Sequence, residues 1–349
     1  MKIIHTADLH LGRSFETNDI EFNKIRRLDL FNTFENLLKY ARDNKIYHIL
    51  ISGDFYELDK ITFKEIKLIV EIINRYSSIN IYIIAGNHDP KDKNSWYERI
   101  EWPKTVMIFG FDTEEYAEIE NVRLYGLSWE ATTWIHDKKI EFDLDKNYVN
   151  ILMLHGDTIG NESEYFDIDR KYYLEQGFNY LALGHIHKPE LNTNYAYPGS
   201  LEPMKFANNT NHGFVMLDVD NHVLINTFCP FSQSNYKTID YNINSKEDIK
   251  FGICSKMNEI GNKQDIFRIN INGYINDTTL KEIDEYLNKI FKKVWINAKE
   301  IVKFNPDLLK ESPIIKKFEE QLEFEKIDKD MKELVYDIGV TALIKMGRF

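Results

Sequence analysis

Five short apolar runs in the first half of the chain are each followed at once by side chains that can bind a metal ion. The runs precede Asp8-Leu9-His10, Gly53-Asp54, Gly86-Asn87-His88-Asp89, His155-Gly156 and Gly184-His185-Ile186-His187. Runs of this length, separated by amphipathic stretches, are typical of the strands in an α/β layer fold. In an open α/β sheet, ligands bind beyond the carboxyl ends of the strands. We therefore expect all five motifs to meet at one edge of a sheet.

Hydrophobic periodicity places the strands and helices of the first half. Strands are predicted at Lys2–Thr6, Tyr47–Ser52 and Ile79–Ala85, with helices between them at Phe22–Arg42 and Phe63–Tyr76. Shorter strands are predicted at Thr105–Phe109, Val122–Leu127, Val149–Leu154 and Tyr180–Leu183. An antiparallel pair with Asp220-Asn221 near its turn is predicted at Gly213–Val219 and Val223–Phe228. The residues thus predict a half-parallel sheet extended by antiparallel strands.

A domain boundary is predicted across Cys229–Tyr241, where Pro230 and a polar stretch interrupt the rhythm of apolar runs. Beyond it, the pattern predicts a helix near Lys246–Met257, a strand at Ile266–Ile271, a helix that begins at 276–278, and a strand at Val294–Val302. Ser312-Pro313 fits the start of a helix, and helical apolar faces follow it. We therefore expect three parts, at residues 1–235, 240–305 (a small α/β domain) and 306–349 (C-terminal helices).

The composition excludes several classes of protein. The 349 residues carry a formal net charge of −12, whereas a protein that binds DNA unaided usually shows a basic balance. If the substrate is nucleic acid, bound metals and a partner subunit must supply much of the positive field.

No apolar run approaches the roughly 18 residues of a membrane span, and the first residues lack the pattern of a signal peptide. We expect a cytoplasmic protein that does not enter the membrane.

The only two cysteines, Cys229 and Cys254, have neither a CxxC spacing nor a flanking histidine. This pattern argues against a disulfide framework and a thiolate zinc site. The candidate ligands are instead carboxylate, amide and imidazole groups, which suit Mn²⁺, Fe²⁺ or Zn²⁺. Because seven ligands exceed what one ion needs, two ions that share a carboxylate are the economical interpretation. The seven are Asp8, His10, Asp54, Asn87, His155, His185 and His187.

The motifs D-x-H, G-D, G-N-H-D, H-G and G-H-x-H resemble those of the calcineurin-like metallophosphoesterase superfamily. The resemblance covers about residues 1–228 and implies a two-layer β-sandwich flanked by helices. It also implies phosphoester hydrolysis, because paired metal ions lower the pKa of bound water and neutralise phosphate oxygens. One ion is implied to be held by Asp8, His10, Asp54 and His187, and the other by Asp54, Asn87, His155 and His185.

His88 and Asp89 follow Asn87 but are not ligands in this scheme. His88 is expected to lie beside the open face of the site, where it would protonate the leaving oxygen or stabilise its charge. Asp89 has two interpretations: it orients His88, or it caps the turn before Pro90. Four other histidines lack a motif partner and are interpreted as structural: His48, His136, His212 and His222.

Longer stretches around the motifs resemble a narrower group, the SbcD-type DNA double-strand-break repair nucleases. The stretches are HTADLHLG, ILISGDFYE, YIIAGNHDP, LALGHIH, Arg27-Leu28-Asp29 and Tyr197-Pro198-Gly199-Ser200-Leu201-Glu202. The resemblance implies a Mn²⁺-dependent DNA nuclease with exonuclease and single-strand endonuclease activity, which forms a homodimer. It also implies an α/β capping domain and C-terminal helices that bind a coiled-coil ABC-type ATPase of the SbcC kind. Glu57 departs from archaeal and eukaryotic relatives, which often carry histidine there, and leaves the balance between the two activities open.

Two other functions remain open at this point. The same metals could serve a phosphodiesterase or phosphatase that acts on nucleotides, lipids or phosphoproteins. The roughly 110 residues beyond the phosphoesterase core argue against a minimal phosphatase, although only by analogy between folds. The second alternative is a non-catalytic scaffold with the phosphoesterase fold. A scaffold would be expected to have lost ligands, whereas all seven are present here.

Overall fold

The computed structural model describes residues 1–15, 17, 19–134, 139–158, 166–206, 211–243, 248–302 and 312–345. The chain forms two compact units. The first comprises Met1–Thr238 and Gly261–Phe267, and the second Ile239–Ile260 and Arg268–Phe349. The division into three parts at 1–235, 240–305 and 306–349 stays a prediction. His136 lies outside the described residues.

The first unit contains two sheets, and helices α1 (Ile20–Asp43), α2 (Phe63–Arg75), α3 (Trp96–Arg99) and α4 (Arg170–Gln176). The first six strands are β1 (Lys2–Thr6), β2 (His48–Ser52), β3 (Asn80–Ile84), β4 (Val106–Ile108), β5 (Phe111–Ile119) and β6 (Val122–Leu127). The next six are β7 (Val149–His155), β8 (Tyr180–Gly184), β9 (Glu190–Asn192), β10 (Tyr195–Tyr197), β11 (Gly213–Asp220) and β12 (Val223–Pro230).

Each sheet has six strands and a parallel centre. The first has the order β12-β11-β1-β2-β3-β4, in which β1 to β4 are parallel and β11 and β12 are antiparallel additions. The second has the order β5-β6-β7-β8-β10-β9, with β6, β7, β8 and β10 parallel. A parallel strand order needs crossover segments, and α1 and α2 supply them in the first sheet.

The two sheets pack face to face. Their shared core contains Ile3 and Ile84 from the first sheet, and Leu124, Ile151 and Ala182 from the second. A separate core joins the outer face of the first sheet to α1 and α2, and another covers the outer face of the second sheet near α4. The expected two-layer β-sandwich flanked by helices is therefore confirmed.

Two features of the sheets differ from the expectation drawn from periodicity. The strands form two sheets rather than one extended sheet, and β5, β9 and β10 were missed because their apolar residues are few or the strand is short. The predicted antiparallel pair, β11–β12, completes the first sheet beside β1. Its turn residues Asn221 and His222 have φ values of 43° and 68°. Positive φ at both positions is typical of a type I′ hairpin turn, which matches the twist of the strands.

Capping residues set where α2 begins. The Thr62 side chain accepts a hydrogen bond from the Glu65 backbone N–H, and the Glu65 carboxylate accepts from the Thr62 backbone N–H. This reciprocal pair satisfies two donors that the first helical turn leaves without partners. Ile66, Ile69 and Ile73 then recur on one face and are buried. The face packs in the core shared with α1 and the first sheet.

The second unit contains helices and most of a three-stranded sheet in the order β13-β14-β15. Its elements are β13 (Tyr236–Asn242), α5 (Ile249–Ile260), β14 (Ile266–Asn276), α6 (Asp277–Ile290), β15 (Lys293–Val302), α7 (Pro313–Phe324) and α8 (Lys329–Lys345). Ser312 caps α7 as predicted, since its side chain accepts from the Ile315 N–H. Across the described parts of the chain, every helix is too short or too polar to cross a membrane.

A buried ion network ties α1 to the loop after β10. The Arg26 guanidinium donates to Asp29 Oδ2 at 2.7 Å, to Glu202 Oε2 at 3.1 Å and to the Pro203 carbonyl at 2.9 Å. Glu202 also accepts from Thr33 Oγ1 at 2.8 Å. Arg26 and Glu202 are 0% and 1% exposed, so each charge depends on its partner for stabilisation. Two motifs of the sequence, Arg27-Leu28-Asp29 and the segment that ends at Glu202, thus meet in this network.

We predict that Arg26→Met lowers the free energy of unfolding by about 3–5 kcal/mol, because it leaves buried carboxylates without a counter-charge. Chemical denaturation of both proteins measures the difference. Arg42→Met is the control, because Arg42 pairs with Asp43 at the surface and should change stability by less than about 1 kcal/mol. Equal stability of the Arg26 variant and the wild type would contradict the role given to the network.

Candidate metal centre

The seven candidate ligands lie at the carboxyl ends of five strands. Asp8, Asp54 and Asn87 follow β1, β2 and β3 of the first sheet, whereas His155 ends β7 and His185 follows β8 of the second. The expectation of one edge of one sheet is therefore corrected, because both layers of the sandwich contribute. Parallel strands at the centre of each sheet bring these ends to the same side.

Asp54 lies at the centre of the group. Its Oδ2 atom is 3.7 Å from His10 Nε2 and 3.4 Å from His155 Nε2. The Nε2 atoms of His10 and His187 are 2.9 Å apart. His10, Asp54 and His155 are buried and His187 is half-buried, and the Nε2 atoms of His10 and His155 converge on one carboxylate. A carboxylate between two sets of imidazoles has the position expected of a ligand shared by two cations.

The remaining ligands join the same group through direct contacts. His155 Nε2 is 3.1 Å from Asn87 Oδ1, and the His155 Nδ1 atom is 2.9 Å from the Ser52 carbonyl oxygen. A protonated Nδ1 donates to that carbonyl, which leaves Nε2 directed at Asp54 and Asn87. The Asp8 carboxylate accepts from the His185 backbone N–H at 3.0 Å. The structure thus brings all seven predicted residues together.

The backbone at this site is held in a conformation that L-residues rarely adopt. Asp8, His10, Asp54 and His185 have φ values of 53°, 47°, 51° and 103°. Such residues cost free energy and persist where the surrounding fold enforces them, most often at functional sites. Strained backbone therefore orients four of the seven candidate ligands. The sequence alone does not reveal this strain.

Close approach of the two sheets explains the glycines of the motifs. Gly53 has a φ of 85°, and a Cβ there would overlap the His155 ring. A Cβ on Gly184 would overlap the Ser52 carbonyl. Glycine permits both the left-handed backbone and the short distance between β2, β7 and β8.

Burial keeps the imidazoles of His185 and His187 neutral. Desolvation, reinforced by the neighbouring His155, lowers the pKa of His185 to about 4. Desolvation, with His10 beside it, lowers the pKa of His187 to about 3. Because a neutral imidazole offers a lone pair to a cation, these rings are suited to act as ligands at neutral pH.

The buried carboxylates of Asp8 and Asp54 compete for nearby positive charge. Burial raises the pKa of Asp8 to about 6, and the charge of Asp54 acts in the same direction. Burial also opposes a charge on His155, but Asp54 and Asp8 outweigh it and raise the His155 pKa to about 9. A proton on His155 neutralises part of the negative charge of Asp54 and Asp8. A divalent cation would neutralise more of that charge. We expect cation binding to displace that proton.

The donor set fits divalent cations. Ligand atoms lie within 4.8 Å of one another in the groups Asp8–His10–His187 and Asp8–Asp54–His155. The donors are carboxylate oxygens and imidazole nitrogens, as Mn²⁺, Fe²⁺ and Zn²⁺ accept. Both groups contain Asp8 and the second also contains Asp54, so the donors suit two ions that share a carboxylate better than one ion.

A third group, His10–Glu57–His88, has the same spacing but a different character. Glu57 Oε1 is 2.9 Å from His10 Nδ1 and accepts from Arg13 Nη1 at 2.9 Å, whereas Oε2 is 2.9 Å from His88 Nδ1. Because a guanidinium already lies at this carboxylate, a further cation there would be repelled. The group therefore fits a hydrogen-bonded network beside the metal site.

Glu57 is the carboxylate that contacts His88. The hydrogen bond between them raises the His88 pKa, which favours the protonated ring. The His88 backbone N–H also donates to Asp54 Oδ1 at 2.9 Å, so His88 is tied to the centre of the site. Its side chain is 41% exposed, in contrast to the buried ligands. Glu57 was noted in the sequence only as a departure from relatives, and its position three residues after Asp54 was the available signal.

Asp89 makes a different set of contacts. Its carboxylate accepts from the backbone N–H groups of Asp54, Phe55 and Gly86, and from the Tyr97 hydroxyl at 2.5 Å. These contacts match the interpretation as a loop cap. Asp89 thereby fixes the loops that carry Asp54 and Asn87, while Glu57 contacts His88.

The described histidines that were interpreted as structural lie apart from this cluster. His48 is 3.3 Å from the Tyr82 hydroxyl, and His212 contacts Ser200. His222 lies in the β11–β12 turn. Each of these histidines therefore lies outside the group of candidate ligands.

Comparison with known proteins agrees with the motifs. Among curated proteins, the chain is similar to the SbcD subunit of nuclease SbcCD from Staphylococcus epidermidis, at 27% identity over 269 residues, which are 66% of this chain and 69% of that protein. It is also similar to the uncharacterized metallophosphoesterase YhaO of Bacillus subtilis, at 26% identity over 63% of this chain and 58% of that protein. DNA double-strand break repair protein Mre11 of Aeropyrum pernix is 24% identical over 58% of this chain and 54% of its own length. The chain thus spans less than two thirds of the last two relatives.

A profile of the calcineurin-like phosphoesterase family matches residues 1–189, which is more than half of the chain. The matched range contains all five motifs and therefore every candidate ligand. The chain belongs to the calcineurin-like phosphoesterase family.

Proposed function

We propose that this protein is a two-metal, Mn²⁺-dependent DNA nuclease with exonuclease and single-strand endonuclease activity. One observation carries the proposal: Asp54 Oδ2 lies between His10 Nε2 and His155 Nε2, at 3.7 and 3.4 Å. One ion is held by Asp8, His10, Asp54 and His187, and the other by Asp54, Asn87, His155 and His185.

When bound, the two ions supply an acidified water for attack on phosphorus and positive charge for the phosphate oxygens. The chain supplies the geometry for this chemistry. The bond between His155 and the Ser52 carbonyl fixes the tautomer of that ring, and Asp89 fixes the loops that carry Asp54 and Asn87. Rigid placement of ligands limits the reorganisation needed during the reaction.

His88 serves as the acid in this proposal. Its Nδ1 faces Glu57, so Nε2 is the atom left to give a proton to the leaving oxygen. The raised pKa keeps the ring protonated toward neutral pH, which a proton donor requires. Glu57 orients the ring and stabilises its charge, and Arg13 holds Glu57 in place.

DNA is proposed as the substrate because two of the similar proteins are called a nuclease and a DNA double-strand break repair protein. The first is also called a subunit, which supports a partner for this chain. We propose an SbcC-like coiled-coil ABC-type ATPase, bound through α7 and α8, and a homodimer of this chain. Apolar side chains on these helices are exposed, including Ile314, Phe324 (87%) and Ile338. A partner would also supply positive charge that a chain of net charge −12 lacks.

A cleavage assay tests the substrate. Hairpin, linear duplex and single-stranded DNA are incubated with Mn²⁺ and the protein, with and without its co-purified ATPase, beside a nucleotide phosphodiester, a phospholipid and a phosphoprotein. We expect cleavage of DNA, and its loss in Asp54→Asn, which removes the shared charge but keeps the side-chain size.

Two results would contradict the proposal. Hydrolysis of the nucleotide, lipid or phosphoprotein, but of no DNA even with the ATPase, would assign another phosphoesterase activity. Failure of the metal-loaded protein to hydrolyse any of these esters would support the scaffold.

We predict that His88→Ala retains both metal ions but lowers kcat for DNA cleavage about 100- to 10,000-fold, as the loss of general acid catalysis does. Glu57→Gln should also lower kcat, because it weakens the orientation of His88. If Glu57 acts through His88, the double variant is no slower than His88→Ala alone. Asp59→Asn, an exposed site on the same loop, is the control and should be unaffected. Wild-type kcat in His88→Ala, or additive losses in the double variant, would contradict these roles.

A further inference from the structure

Trp129 connects segments that carry two of the candidate ligands. It follows β6, a strand whose own carboxyl end supplies no candidate ligand. The Trp129 indole N–H donates to the His155 carbonyl at 2.7 Å. Its backbone N–H donates to the Ala85 carbonyl at 3.1 Å, and its backbone carbonyl accepts from the Lys91 N–H at 2.7 Å.

These three contacts surround one half of the proposed two-metal site. Ala85 precedes Asn87 by two residues, and Lys91 follows Asn87 by four, so both backbone bonds hold the loop of Asn87. The indole bond holds His155 itself. Asn87 and His155 belong to the same proposed ion, and their ligand atoms are 3.1 Å apart. One residue thus fixes both the amide and the imidazole ligand of that ion.

Packing prevents the indole from turning away from this bond. Trp129 is 1% exposed, and its ring lies edge-on to Trp134, at 5.5 Å between centroids. Trp134 in turn stacks on Phe166 at 4.0 Å. A buried indole N–H without a partner would cost free energy, so rotation away from His155 is opposed by both packing and desolvation.

We propose that Trp129 is a positioning residue for the ion bound by Asn87 and His155, and that it sets the affinity of that ion without touching it. The inference rests on the two-metal site of the proposed function. Some residues form hydrogen bonds with metal ligands without binding the metal. Their removal weakens metal affinity about 10- to 100-fold. The effect should be selective, because the contacts of Trp129 reach Asn87 and His155, which both belong to one ion.

The test is a Mn²⁺ titration of Trp129→Phe, followed by the EPR signal of free Mn²⁺, which gives the two stepwise dissociation constants. Phenylalanine keeps an aromatic ring but removes the N–H donor. We expect one constant to rise about 10- to 100-fold and the other to stay unchanged. Trp102→Phe is the matched control, because it removes an indole N–H that donates to the Trp96 carbonyl at 3.1 Å rather than to a candidate ligand, and both of its constants should equal those of the wild type.

The outcomes distinguish a failure of the proposed two-metal site from a failure of the proposed role of Trp129. A wild-type protein that fails to bind two ions would overturn the proposed two-metal site. If the wild type binds two ions, then unchanged or equally weakened constants in Trp129→Phe would overturn the role of Trp129 alone. Excess Mn²⁺ should restore the DNA cleavage rate of the variant, which a general loss of folding would not allow.

A second measurement uses the wild type if the variant does not fold. The chain has five tryptophans, so a ¹H–¹⁵N NMR spectrum contains only five indole N–H signals to assign. During titration with diamagnetic Zn²⁺, we expect the Trp129 signal to move in the step that fills the Asn87–His155 ion. Movement of this signal in the other step, or in neither, would overturn the proposal.

Discussion

The structure depends on the placement of two buried carboxylates, Asp8 and Asp54, in one enclosure. Like charges removed from water destabilise each other unless a positive charge lies between them. The raised pKa values of His155 and Asp8 reflect this crowding of negative charge. Two divalent cations would offset it fully. The left-handed backbone at four candidate ligands directs their side chains to one point. These residues are Asp8, His10, Asp54 and His185.

The sandwich makes this arrangement possible. Each layer contributes ligands from parallel strands at its centre, and glycines at Gly53 and Gly184 let the layers approach closely at that end. The fold also supplies supports that are not ligands: Ser52 for His155, Asp89 for the ligand loops, and Glu57 for His88. Function therefore depends on loop positions that the two sheets hold rigid.

The sequence predicted the candidate ligands but not the residues that contact them. Strand ends followed by Asp, Asn and His in short motifs gave seven candidate ligands, which lie together in the structure, and the family match confirms the expected phosphoesterase. The contacts of Trp129 and Glu57 were not predicted, because no short motif links Trp129 to His155, 26 residues away, or Glu57 to His88, 31 residues away. The layering of the strands into two sheets came from resemblance rather than from periodicity, since a buried strand has the same pattern in either sheet. The division into three parts and the residue roles stay predictions.

The central claim is that the seven residues form one site for two ions that share Asp54. Anomalous X-ray diffraction from a crystal of the Mn²⁺-loaded protein tests it most directly. We predict two manganese peaks about 3.5–4 Å apart, with the Asp54 carboxylate between them. A single peak, or two peaks of which only one is bound by Asp54, would contradict the claim.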